Sequence, residues 1–128
     1  MNVNKKLLHL GKHDTMNFET SKTQNEAVVR SNVEKLDASN APELKAELVL
    51  LNKNGVNNIV IDLTNTKYCD SSGLSAVLTA NRLCKDTSGN FVLCGLQESV
   101  KKLIEIAQLD KVLTITENES AALNALRK

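Results

Sequence analysis

Apolar positions alternate along the chain between short runs and helical stripes. Extended segments are expected at 17–22 and 26–33, with polar Thr23-Gln24-Asn25 between them. Ala27-Val28-Val29 and Val33 give the second its β-branched, apolar character. Leu44, Leu48 and Leu51 then recur at helical spacing. Pro42, the single proline, suits a first helical turn; Ser39 or Asn40 is the expected cap, and Asn54-Gly55 ends the helix. Ile59-Val60-Ile61-Asp62-Leu63 is nearly continuous and apolar, the pattern of a central strand covered on both faces.

A second helix is expected from about Ser72 to Lys85, with Leu74, Val77, Leu78, Ala80 and Cys84 on its apolar surface. Ser88-Gly89-Asn90 turns the chain into a buried strand, Phe91-Val92-Leu93-Cys94. Val100, Leu103, Ile104 and Ala107 fit an amphipathic third helix. Val112 to Thr116 gives a last strand and Asn118 to Leu126 a last helix, with Arg127 and Lys128 at the negative end of its dipole.

The order β-β-α-β-α-β-α-β-α implies crossover connections. The fold class is therefore α/β: a single domain with a mixed, mostly parallel sheet of about five strands and about four helices. The first hairpin adds an antiparallel edge. Residues 1–15 are polar and show no sustained periodicity, so they read as a disordered leader to a domain spanning 16–128. Met16, where the patterned sequence begins, is a candidate start.

Composition narrows the function. Sixteen Lys and Arg against fifteen Asp and Glu leave no basic excess for nucleic acid, and aromatics make up only 2% of the 128 residues. No apolar stretch approaches the roughly 20 residues that cross a bilayer, so no membrane insertion is expected and the cytoplasm is the default location. Cys69, Cys84 and Cys94 form no disulfide framework, and His9 and His13 both lie near the N-terminus. Neither a metal nor another cofactor is expected.

Chemistry in such a sheet usually sits in the loop leaving a central strand, at the head of the next helix. That loop reads Asn65-Thr66-Lys67-Tyr68-Cys69-Asp70-Ser71-Ser72-Gly73-Leu74. Ser71 and Ser72 fall where free backbone N–H groups can receive an anion. Gly73 allows another backbone or a phosphate to come close. Asp70 either caps the helix or helps to position a hydroxyl. A nucleophilic serine lacks a base, since no histidine follows His13. Cys69 stands beside a helix dipole that lowers a thiol pKa, but it lacks the donors and arginine of a cysteine phosphatase. Glu34, Lys35, Asp37 and Asp62 read as solvated or capping charges. The chain looks like a substrate or partner, not an enzyme.

The stretch Asn58-Ile59-Val60-Ile61-Asp62-Leu63, followed by Tyr68-Cys69-Asp70-Ser71-Ser72-Gly73-Leu74-Ser75-Ala76-Val77-Leu78, resembles the central strand, loop and helix of STAS domains. The closest likeness is to the bacterial anti-sigma-factor antagonists. Leu36-Asp37 with Asn40-Ala41-Pro42, Phe91-Val92-Leu93-Cys94 and Ala107-Gln108-Leu109 follow in the family's order, over roughly residues 17–127.

The resemblance implies partner switching. An unphosphorylated antagonist binds an anti-sigma factor that is also a serine kinase; phosphorylation releases it, and a phosphatase resets it. By position, Ser71 is the implied phosphoacceptor and Ser72 its alternative. Asp70, Ser71, Ser72, Gly73, Asp37 and Asn40 form the implied partner-binding set. The family's antagonists commonly carry Gly-Glu before the first-loop aspartate, where this chain has Glu34-Lys35. Lys35 thus changes the charge of a partner-facing edge. STAS domains also serve, without phosphorylation, as subunits of lipid-transporting ABC systems or of signalling scaffolds, which is the alternative reading.

Overall fold

The computed structural model describes the backbone of residues 12–14 and all of residues 17–128. Its elements are β1 (Lys12–Asp14), β2 (Phe18–Lys22), β3 (Glu26–Ser31), β4 (Lys35–Leu36), α1 (Ala41–Lys53), β5 (Asn58–Asp62), β6 (Tyr68–Cys69), α2 (Ser71–Asp86), β7 (Phe91–Cys94), α3 (Glu98–Ile106), a 3-10 turn (Leu109–Lys111), β8 (Thr114–Thr116) and α4 (Glu119–Leu126). Among the described residues the main sheet has six strands in the order β1-β2-β3-β5-β7-β8. β1, β2 and β3 pair antiparallel, and every later pairing is parallel. This is the mixed, mostly parallel α/β domain that the alternating pattern predicts.

Strand alternation divides the core. Ile59 and Ile61 of β5 join Ala27, Val29, Phe91 and Leu93 in the larger cluster, where Leu44, Leu48 and Leu51 of α1 and Ala76, Val77, Ala80 and Cys84 of α2 meet them. Val60 points the other way, to Val28, Val92, Cys94, Ala122 and Leu126 under α4. The central strand is covered on both faces, so its apolar residues form a continuous run. Arg30 ties α4 to the sheet through two hydrogen bonds to Glu119, at 2.6 and 2.9 Å.

Several local expectations change. Lys12–Asp14, expected within the leader, form an outer strand against β2, which raises the sheet from five strands to six. The rest of that leader and Met16 lie outside the described residues. β8 begins at Thr114, and Val112 is 55% exposed beyond the 3-10 turn. Ala107 is exposed at the end of α3 instead of on its buried stripe. Asp62 is more than a solvated charge, because its Oδ1 accepts the Thr64 N–H and Oγ–H at 2.9 and 2.6 Å. Arg127, besides standing at the end of α4, pairs with Glu26 at 2.9 Å.

Candidate functional site at the head of helix α2

A second, two-stranded parallel ribbon sets the position of the loop. Its residues are too few to show a hydrophobic period: Lys35 pairs with Tyr68 and Leu36 with Cys69. The ladder extends at both ends, with Lys67 and Tyr68 donating their N–H groups to Glu34 O, and Asp70 to Leu36 O at 3.2 Å. Buried Thr66 fastens the loop to the end of β3, 2.7 Å from Ser31 Oγ and donating to Val33 O at 2.8 Å. From the other side Gln97 donates to Thr64 O at 2.7 Å, and Ser99 Oγ donates to Lys67 O. The loop before α2 is therefore a fixed platform.

Asp70 is the N-cap of α2, in extended conformation. Its Oδ1 accepts the N–H groups of Ser72 at 2.9 Å and Gly73 at 3.1 Å. The helix consequently starts at Ser71, one residue before the sequence suggests. It also means that two first-turn donors are already engaged by a carboxylate. Ser71 is exposed, Ser72 half-buried and Gly73 buried. The close approach at Gly73 is to backbone: a Cβ there would lie 2.5 Å from Leu36 O and 2.7 Å from Cys69 Sγ. Gly73 lets the ribbon and the helix head touch, and Ser71 stands on the solvent side of that contact.

The loop before α1 is built by Asp37. Its Oδ1 accepts the Ser39 N–H at 2.9 Å and Oγ–H at 2.6 Å. These bonds, with Lys35 nearby, hold its carboxyl below the usual value. Asn40 occupies the cap position of α1 but makes no side-chain cap. Its Oδ1 accepts the Asp37 N–H at 3.0 Å, and its Nδ2 donates to Lys35 O at 2.9 Å. Asn40 is only 8% exposed, so it braces the ribbon from behind and offers little surface of its own.

Two hollows flank the helix head. One, of about 440 Å³, is lined by Lys35, Leu36, Asp37, Tyr68, Cys69 and Asp70. The other, of about 310 Å³, lies between α1 and α2, where Ala38, Ala41, Pro42 and Lys45 face Ser71, Ser72 and Ser75. The fold thus brings Asp37 beside Asp70, and Ser71 beside Ser72. Sequence reasoning missed Lys45, which looks like any polar position on an amphipathic helix, and the half-exposed ring of Tyr68.

The thiol chemistry runs against a nucleophile. Burial, helped by the Asp70 carboxylate, pushes the Cys69 thiol up to about 11, the opposite of the dipole effect expected for it. Burial likewise pushes Cys84 to about 11 and Cys94 to about 12. No cluster of three or more metal-ligating side chains occurs among the described residues, and no helix there is long and apolar enough to cross a membrane.

A mixed, mostly parallel sheet with helices on both faces and an Asp-capped Ser-Ser-Gly helix head beside its central strand defines a small α/β module of the STAS type. The STAS domain profile matches residues 17–122, and the chain belongs to that family. BtrV of Bordetella bronchiseptica, provisionally named an anti-sigma factor antagonist, is 29% identical over 92 residues, or 72% of this chain and 79% of its own. An anti-sigma F factor antagonist of Paenibacillus polymyxa is 33% identical over 69 residues, or 54% of this chain and 59% of its own. The anti-sigma factor antagonist SpoIIAA is similar in fold in its unphosphorylated form, with a TM-score of 0.68 at 18% identity, covering 86% of this chain and 97% of that one. The phosphorylated form of Bacillus SpoIIAA gives 0.67 at 20% identity, covering 84% and 97%.

Proposed function

We infer that this protein is an anti-sigma-factor antagonist that works by partner switching in the cytoplasm. Unphosphorylated, it binds an anti-sigma factor that is also a serine kinase; phosphorylation of Ser71 releases it, and a phosphatase resets it. The observation that carries the reading is the exposed Ser71 hydroxyl at the first position of α2, next to an Asp70 carboxylate committed to capping. The names of its relatives support the antagonist role.

Phosphorylation adds about −1.5 to −2 charges and three acceptor oxygens. On Ser71 that charge falls beside Asp70, in the middle of the docking surface. Burying it unpaired against a partner costs several kcal/mol, on the order of a thousandfold in affinity. Within the monomer the phosphate stays in water, so the fold survives while the interface fails.

Substitution at Ser71, read by calorimetry against the cognate anti-sigma kinase, tests this. Ser71→Asp is expected to abolish binding with a nearly unchanged melting temperature. Ser71→Ala is expected to bind and to resist phosphorylation, and residual labelling would move the acceptor to Ser72. Wild-type affinity in Ser71→Asp would contradict the reading.

A further inference from the structure

Lys45 has no part in the switch as described, yet it lines the same hollow as Ser71 and Ser72. It is half-buried on the first turns of α1, and no described residue pairs with its ammonium. Lys45 thus stands in a concave site that Ser71, Ser72 and Ser75 also line, while the nearby carboxylates are engaged elsewhere. Glu34 pairs with Lys67 at 3.4 Å, Asp37 is tied to Ser39, and Asp70 caps α2. The helix head has fewer donors left for that service, because Asp70 already takes those of Ser72 and Gly73.

We propose that Lys45 is the intramolecular counter-cation of phosphorylated Ser71, pairing with the phosphate across the groove between α1 and α2. The proposal rests on Ser71 as the phosphoacceptor and adds how the released state is held. Lysine suits the task as a compact charge on a flexible stem, which can swing to a group that is present only part of the time. The hollow, at about 310 Å³, has room for several groups the size of a water molecule, each about 30 Å³. Pairing on the protein's own surface offsets part of the repulsion from Asp70 and from Asp37 in the neighbouring hollow. The same pairing turns Lys45 away from any partner. Lys45 is a positioning residue, and one local charge change alters both walls of the groove.

The test is independent of any kinase. Phosphoserine is placed at position 71 by genetic encoding, and its phosphate is titrated by phosphorus NMR in the full-length wild-type, Lys45→Gln and Lys45→Arg proteins. An opposite charge within a few ångströms favours the dianion, so the second phosphate pKa is expected at least about half a unit lower in wild type than in Lys45→Gln. That is roughly a threefold change in proton affinity. Lys45→Arg should follow wild type, and the difference should shrink in about 1 M salt. Identical titrations of wild type and Lys45→Gln would overturn the proposal, as would an arginine variant that tracks glutamine. If natural Ser71 is never phosphorylated, the switch reading fails while this titration still reports whether Lys45 meets a phosphate there.

Discussion

The Leu36 carbonyl oxygen lies 2.5 Å from the point that a Cβ on Gly73 would occupy. Together with the Asp70 N–H bond to Leu36 O, this close approach joins the loop before α1 to the head of α2, and so joins Asp37 and Lys35 to Ser71. Because the obstructing atom is backbone within a hydrogen-bonded ribbon, it has little freedom to retreat.

Gly73→Ala is accordingly expected to destabilise the protein. Helix propensity alone would favour alanine by about 1 kcal/mol. Overlap with a fixed carbonyl costs about 1–3 kcal/mol or more, and it acts together with the clash against Cys69 Sγ, so overlap should win. Denaturant melts should show a lower midpoint. An alanine variant as stable as wild type would mean that the ribbon yields.

Removing the Asp70 carboxylate should separate capping from recognition. Asp70→Ala loses the acceptor of two backbone donors and is expected to cost about 1 kcal/mol. For a domain of this size that is a fall in melting temperature of roughly 3–5 °C. Asp70→Asn keeps an Oδ1 acceptor and should stay close to wild type. Thermal melts of the two variants check both halves, and equal losses would show that charge, not the cap, is what matters.

The thiols set an alkaline limit. In the folded chain Cys69 and Cys84 titrate at about 11 and Cys94 at about 12, whereas the ordinary value is 9.0. Above pH 9 the unfolded chain releases protons that the folded chain still holds, so stability is fully present below pH 9 and falls as pH rises towards 11. For fully buried Cys84 a shift of this size corresponds to about 2–3 kcal/mol. Urea midpoints measured from pH 8 to 10.5 under reducing conditions should decline, and a flat profile would contradict the burial of these thiols.

How far the sequence is legible follows from how much pattern each element carries. The run through Ile59, Val60 and Ile61 reads correctly as central because alternate residues serve two different cores. Asp70-Ser71-Ser72-Gly73 reads as a helix head because capping chemistry is local. The β4–β6 ribbon escapes notice because strands of two residues have no period to detect. Lys12–Asp14 escape for a similar reason, having no apolar alternation to advertise an edge strand. Asn40 does stand at the cap position of α1, and only the tertiary structure shows its amide turned back to Asp37 and Lys35. Lys45 becomes visible as part of the site only once α1 and α2 are set side by side.

The central claim is that Ser71 carries a regulated phosphate, and phosphopeptide mass spectrometry on the protein from its native cells, in growth and under stress, tests it most directly. The account predicts phosphate on Ser71 with an occupancy that changes between the two conditions. Ser71 unmodified in every condition would contradict it and leave the Asp70-capped head of α2 as a helix terminus at an interface.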